Sequence, residues 1–277
     1  MASNTRKQKH AALLHEAHPI EHREPVPSGL QKRTEQVENE ERKNRHLPAV
    51  SNTLKLKLDH LTTLTPLTDN QAKFIEMYNR GDYFIGCFGS AGTGKTTMPM
   101  YKAIEEVLSK DNSFERVVVV RSSVQSGRDV GFLPGSLEEK MEVFELPYKE
   151  ICQMLFKRGD AWDRLKEQGH ARFLSTMALR GISLDDSIII ADEIQNFNWS
   201  EIYTLMTRIG HRSKVIFCGD FRQTDLIHSR TDKSAFQDFI KVARAMKHFS
   251  EVYYTPDDIV RSSLTKDWII RCEEFGF

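Results

Sequence analysis

The 277-residue chain has little from which to build a disulfide or metal scaffold. Its four cysteines, Cys87, Cys152, Cys218 and Cys272, stand far apart and form no C-x-x-C pair. Two of them sit in apolar, strand-like runs, so they read as buried thiols of a reducing compartment, the cytoplasm, and not as disulfide partners or zinc ligands. Charge of one sign is lacking too. Lys and Arg number 39 against 39 Asp and Glu, so no global field advertises a nucleic-acid or membrane partner. No apolar run approaches the roughly 18 residues of a membrane span, and the polar start shows no signal-peptide pattern. The first sixty residues are poor in aliphatics and show no sustained periodicity. Such a segment cannot bury enough surface to offset its ordering entropy, so residues 1–63 are expected to be a charged, largely disordered tail ahead of one domain over 64–277. The histidines of that tail (His10, His15, His18, His22, His46) fit no metal-ligand spacing and read as solvated. The first sixty residues hold 11 Lys/Arg and 8 Asp/Glu, leaving 28 against 31 for the rest. Any nucleic-acid site on the domain must therefore be a local patch.

What is present in concentrated form is glycine between Gly89 and Gly94. The run Gly89-Ser90-Ala91-Gly92-Thr93-Gly94-Lys95-Thr96 satisfies the phosphate-loop pattern G-x-x-x-x-G-K-[ST] at every fixed position. Gly92 and Gly94 can turn successive N–H groups inward as a nest for phosphate oxygens. Lys95 supplies a cation to the β- and γ-phosphates, and the Thr96 hydroxyl can ligate Mg²⁺. Thr97 completes the nucleotide-binding set at the start of a helix whose positive dipole end faces the same anion. The context agrees: Phe84 to Phe88 reads as a buried strand entering the loop, and Met100, Ile104, Val107 and Leu108 give the leaving helix an apolar face. Pro99 lies early in that helix, where a kinked first turn is expected.

Further elements follow in alternation. Thr68 with Gln71 makes a capping box for a short helix that Gly81 closes. Gln71 is also placed to hydrogen-bond adenine through its amide; a cap or plain surface role is the alternative. Arg116 to Arg121 is a β-branched strand, followed by a loop from Ser122 to Gly135 with Gly127, Gly131, Pro134 and Gly135. Loops at the carboxyl ends of parallel strands hold ligands in open α/β sheets. Arg128 and Phe132 there are candidates for nucleic-acid contact, by charge and by stacking, with a core role open for Phe132. Ser136 and Glu139 cap a helix that Pro147 is expected to break, with a second segment reaching Lys157. Asp160 to Gly169 reads as a short helix and Arg172 to Ser175 as a strand. Ser187 to Ala191 runs straight into Asp192-Glu193, the Walker B arrangement: Asp192 for Mg²⁺, mostly through water, and Glu193 for the attacking water. Asn198 and Glu201 cap the next helix. The strand Lys214 to Cys218 delivers Gly219-Asp220, with Gln223 within reach of a γ-phosphate. A core-facing helix from Phe236 to Met246, a strand from Glu251 to Thr255 and a last helix near Thr265 to Cys272 complete the chain.

Taken together the motifs resemble the PhoH family, phosphate-starvation-type ATPases related to superfamily-1 helicase cores. The matching pieces are Leu67 to Gln71, Gly89 to Thr96, Gly131-Phe132-Leu133-Pro134-Gly135 with Glu139-Lys140, Asp192 to Asn196, Thr207-Arg208-Ile209-Gly210, Gly219-Asp220 with Gln223, and Asp258-Ile259-Val260-Arg261. Ile194 and the pair Ser262-Ser263 depart from the family's usual residues. The resemblance implies one RecA-like P-loop domain with a mainly parallel sheet and helices on both faces. It also implies ATP and Mg²⁺ as cofactors, and RNA or single-stranded nucleic acid as partner. An ATP-dependent switch or scaffold without strand work is the competing reading. Only about fifty residues follow Gly219-Asp220, too few for a second lobe. An arginine finger is therefore expected from a neighbouring copy in a homo-oligomeric ring, most simply a hexamer. Arg261 is the first choice for that finger and Arg208 and Arg121 the alternatives; a salt bridge from Arg261 to Asp257 or Asp258 is the competing role.

Overall fold

The computed structural model describes residues 55–122, 137–220 and 230–275, all within the compact unit Val50–Phe277. Six strands form one sheet: β1 (Phe84–Gly89), β2 (Arg116–Arg121), β3 (Ala171–Ser175), β4 (Ser187–Ala191), β5 (Lys214–Gly219) and β6 (Phe249–Tyr254). Their order across the sheet is β3-β2-β4-β5-β1-β6, and every neighbouring pair is parallel. The helices are α1 (Asp69–Asn79), α2 (Thr97–Leu108), α3 (Leu137–Phe156), α4 (Ala161–Glu167), α5 (Trp199–Met206), α6 (Arg230–Ala245) and α7 (Ser263–Glu274).

Alternation along the strands sorts the core into two layers. Ile85, Cys87, Val117, Val119, Ile188 and Ile216 face one side, where residues of α1 to α4 cover them. Phe84, Phe88, Val118, Ile189, Val215 and Phe217 face the other, against α5 and α6. A sheet covered on both faces needs near-continuous apolar strands, which is what the Val117–Val120 and Ile188–Ile190 runs supply. This is the RecA-like α/β domain that the motif order implies.

Two local expectations change, at Pro147 and at the start of the packed chain, and Pro99 is accommodated by a side chain. Helix α3 runs unbroken through Pro147. Phe144, Tyr148, Cys152 and Leu155, spaced by four, four and three, are buried in one stripe. Their burial holds both halves of the helix against the core while Pro147 sits on the exposed side, so packing outweighs the missing hydrogen bond. Pro99 falls in the first turn of α2, where its absent N–H would have met the Lys95 carbonyl. The Cys218 thiol donates to that carbonyl instead, at 3.2 Å. Packed chain also reaches back to Leu56, earlier than Leu64. Leu56 is buried and its peptide groups pair with both ends of the Gln168 amide, at 2.8 and 3.0 Å. The expected Ser136–Glu139 cap involves residues outside those described.

Candidate nucleotide site

Parallel strands place every loop that follows them at one edge of the sheet, and β5 lies between β1 and β4. The loop after β1, Asp192-Glu193 after β4 and Asp220 after β5 are therefore neighbours. The glycines of the first loop have the backbone angles their role requires. Gly92 and Gly94 have φ of +73° and +80°, and Gly89 has φ of +129°. A Cβ on Gly89 would lie 1.9 Å from the Tyr254 carbonyl oxygen, so only glycine lets β6 pass this close. Within the loop Ser90 is 1% exposed, and its hydroxyl finds no hydrogen-bond partner among the described residues. Lys95 donates to the Ser90 carbonyl at 3.3 Å.

Asp192 is the centre of the site. The Thr96 hydroxyl donates to its Oδ1 at 2.8 Å, which brings together the two residues expected to hold Mg²⁺. Paired hard oxygens beside a phosphate nest suit an ion that takes one or two protein ligands and the rest from phosphate and water. The other carboxylate oxygen, Oδ2, accepts a hydrogen bond from Tyr148 at 2.8 Å. Glu193 follows with φ 55° and ψ 45°, a left-handed conformation rare outside glycine. Burial, then the Asp192 charge, push its carboxyl above the ordinary glutamate range; Arg121 and Lys95 oppose them. Gln195, fully buried, donates to Glu193 at 2.5 Å and accepts from the Asp220 N–H at 3.0 Å. One amide thus ties the ends of β4 and β5 together. Gly219 permits it, since a Cβ there would lie 2.6 Å from Ile194 and 3.0 Å from the Gln195 oxygen.

A second set of contacts braces the phosphate loop. Gln71 donates through Nε2 to the Thr93 carbonyl at 2.9 Å and accepts from Leu67 N–H at 2.7 Å. Thr68 caps α1 by accepting from Gln71 N–H at 3.3 Å, so half of the expected box forms and the glutamine side chain turns to the loop. Asp258 accepts from Asn70 and from Thr255 N–H, both at 2.8 Å. Burial would raise its carboxyl, but hydrogen bonds from Thr68, Thr255 and Asn70 outweigh that and hold it below the ordinary range. Val260 N–H donates to the Gly92 carbonyl at 3.1 Å. Arg261 comes with it: a Cβ on Gly92 would lie 2.8 Å from Arg261 Cγ. The structure thus places Arg261 against the phosphate loop of its own chain. Arg121, at the end of β2, also lies in its own site, close enough to act on Glu193.

The sequence model of the family described as PhoH-like protein matches residues 63–273. The chain belongs to the PhoH family. That makes it a member of the P-loop nucleotide-binding superfamily. It is 31% identical to a PhoH-like protein of Bacillus subtilis over 198 residues, 71% of this chain and 60% of that protein. A PhoH-like protein of Mycobacterium leprae is 30% identical over 233 residues, 82% of this chain and 64% of that protein. The chain thus spans about 60% of the length of these relatives. Among solved structures, the large terminase of a thermophilic bacteriophage in complex with ADP aligns with a TM-score of 0.47 at 15% identity, covering 74% of this chain and 50% of that one.

Of the expected PhoH site residues, Gln71, Gly89 to Thr97, Asp192, Glu193 and Arg261 converge on this edge. Gln223, Arg128 and Phe132 lie outside the described residues. Arg208 goes elsewhere: its carbonyl accepts from Leu184 N–H at 2.8 Å, ahead of β4 and β5, at the opposite edge of the sheet. Gly210 belongs to the same turn, where a Cβ would lie 2.2 Å from Asp185 Oδ1. Two residues of the site had no assigned role in the sequence. Gln195 stands inside a PhoH motif, and only the fold shows what its amide joins. Tyr148 lies 44 residues from its partner, too far along the chain for any motif to join them.

Proposed function

We propose that the chain is a Mg²⁺-dependent ATPase whose cycle remodels RNA or single-stranded nucleic acid. The observation that carries the reading is the Thr96–Asp192 hydrogen bond between the ends of two strands, with half-buried Glu193 beside it. Mg²⁺, bound with the nucleotide, would neutralise charge developing on the phosphates. The rest is positioning by the chain. The Gly92–Gly94 nest and Lys95 hold the phosphates, and the orphan Ser90 hydroxyl adds a donor. Glu193 orients and polarises the attacking water, its carboxyl set by Gln195. Gln223 is proposed for the γ-phosphate. Adenine selection through Gln71 is confined to the second N–H and lone pair of its amide, since the first N–H is held by the Thr93 carbonyl and the first lone pair by Leu67 N–H.

The site is one lobe of a type that works with an arginine from outside, and we place this activity in a cytoplasmic ring, most simply of six copies. Arg261 and Arg121 stand at the chain's own site, so the arginine lent to a neighbour is Arg208. About 20 Å of strand separates it from its own phosphate loop, and its buried Nε has no hydrogen-bond partner among the described residues. Mixing inactive Lys95→Ala with inactive Arg208→Ala should restore part of the ATPase, while Lys95→Ala with Arg261→Ala should not. A monomer in solution and no rescue in either mixture would dismiss the ring.

The strand-remodelling part is tested by ATPase rates with and without RNA and single-stranded DNA over a salt series. Stimulation of at least several-fold that fades as salt rises is expected, because phosphate contacts release counterions. Turnover indifferent to both polymers at low salt would leave an ATP-driven switch or scaffold as the reading.

A further inference from the structure

Asp192 has two carboxylate oxygens and the chain uses both. Oδ1 meets Thr96 and Oδ2 meets the Tyr148 hydroxyl, each at 2.8 Å, while Asp192 N–H donates to the Val120 carbonyl at 2.9 Å. Tyr148 is 0% exposed and Asp192 5% exposed. The phenol ring is held between Trp162 and Phe173, with centroids 6.0 and 5.8 Å away. It belongs to the buried stripe of α3, so its hydroxyl cannot swing away without disturbing a packed core. The contact runs one way, since the phenol hydroxyl has a proton to donate and the carboxylate oxygen can only accept. A donor aimed at the back of a metal-binding carboxylate fixes which oxygen, and which lone pair, faces the ion.

We infer that Tyr148 is a positioning residue for the Mg²⁺ of the nucleotide complex, fixing the Asp192 carboxylate so that Oδ1 and Thr96 are presented together. The inference rests on the proposed ATP site and assigns Tyr148 no contact with nucleotide. Outer partners of this kind are typically worth about 10- to 100-fold in metal affinity.

The experiment is calorimetric titration of ADP, and of a non-hydrolysable ATP analogue, into wild type, Tyr148→Phe, Asp192→Asn and the double variant, across a Mg²⁺ series and with chelator. Tyr148→Phe removes one oxygen and keeps the ring, and thermal melts establish that it is folded. The Mg²⁺ concentration for half-maximal enhancement of nucleotide affinity should rise about tenfold or more. Affinity in chelator should stay within twofold of wild type, and Tyr148→Phe should add nothing in the Asp192→Asn background. Unchanged or improved Mg²⁺ dependence in a folded Tyr148→Phe would overturn the inference while leaving the ATP site standing. An equal loss of affinity with and without Mg²⁺ would overturn it in favour of a purely structural role. Wild type that binds no nucleotide under any condition would remove the functional proposal and this inference together.

Discussion

Glu193 shows what its proposed role costs the fold. It combines a left-handed backbone, of order 1–3 kcal/mol for a non-glycine residue, with a carboxylate half-buried beside another. Its raised ionisation has a definite sign in stability. The folded state binds a proton more tightly than the unfolded state, so at neutral pH the ionised side chain opposes folding, and this penalty disappears as pH falls and the group protonates. Glu193→Gln should therefore raise the melting temperature by a few degrees at pH 7.5, with the gain shrinking toward pH 4.5. A variant that melts below wild type at pH 7.5, or a gain independent of pH, would contradict this balance. The candidate carboxylate was legible in the sequence because an apolar strand ending in Asp-Glu downstream of a phosphate loop has few other readings. Its environment was not, since its partial burial and the Gln195–Asp220 tie arise only when β4 and β5 are adjacent.

At the scale of elements, strand and helix identities follow from periodicity, and the exceptions have physical causes. The expectation of a break at Pro147 used local propensity alone. Tyr148, Cys152, Leu155 and Phe156 of α3 share one core with residues of β2 and β3, and that long-range packing was invisible in the local pattern. The proline remains a local cost: it denies a hydrogen bond to the Val143 carbonyl on an exposed face. Pro147→Ala should thus stabilise the protein by about 1–3 kcal/mol, read as an increase in denaturant midpoint at unchanged slope. A lower midpoint would mean that the helix depends on the proline's geometry. The same distance argument explains Tyr148 and Arg261. Tyr148 lies in the core, and its hydroxyl meets Asp192 only because the fold sets α3 beside the end of β4. Arg261 ends a motif after the last strand, and β6 pairing with β1 brings that motif onto the phosphate loop.

For the whole molecule, the layout makes a division of labour. The carboxyl edge of the sheet gathers the Gly92–Gly94 turn, the Thr96–Asp192 pair and Glu193, the residues proposed above for phosphate, Mg²⁺ and water. The opposite edge carries Arg208. Among the described residues no helix is long and apolar enough to cross a membrane. The fold class and the nucleotide edge were readable because each motif fixes its own place at a strand end. The order β1-β5-β4 and the bracing of the loop by Gln71, Asp258 and Val260 came only from the assembled sheet.

The central claim is ATP hydrolysis at Lys95, Thr96, Asp192 and Glu193. The direct measurement pairs ATP binding by calorimetry with phosphate release for wild type, Lys95→Ala and Glu193→Gln in the presence of Mg²⁺. Glu193→Gln should bind ATP within a few-fold of wild type and release phosphate at least about 100-fold more slowly, because it keeps the cradle and loses only the water-orienting carboxylate. Lys95→Ala should lose binding, turnover or both. Wild type that neither binds nor cleaves a nucleoside triphosphate, or a Glu193→Gln protein that turns over ATP at the wild-type rate, would contradict the account.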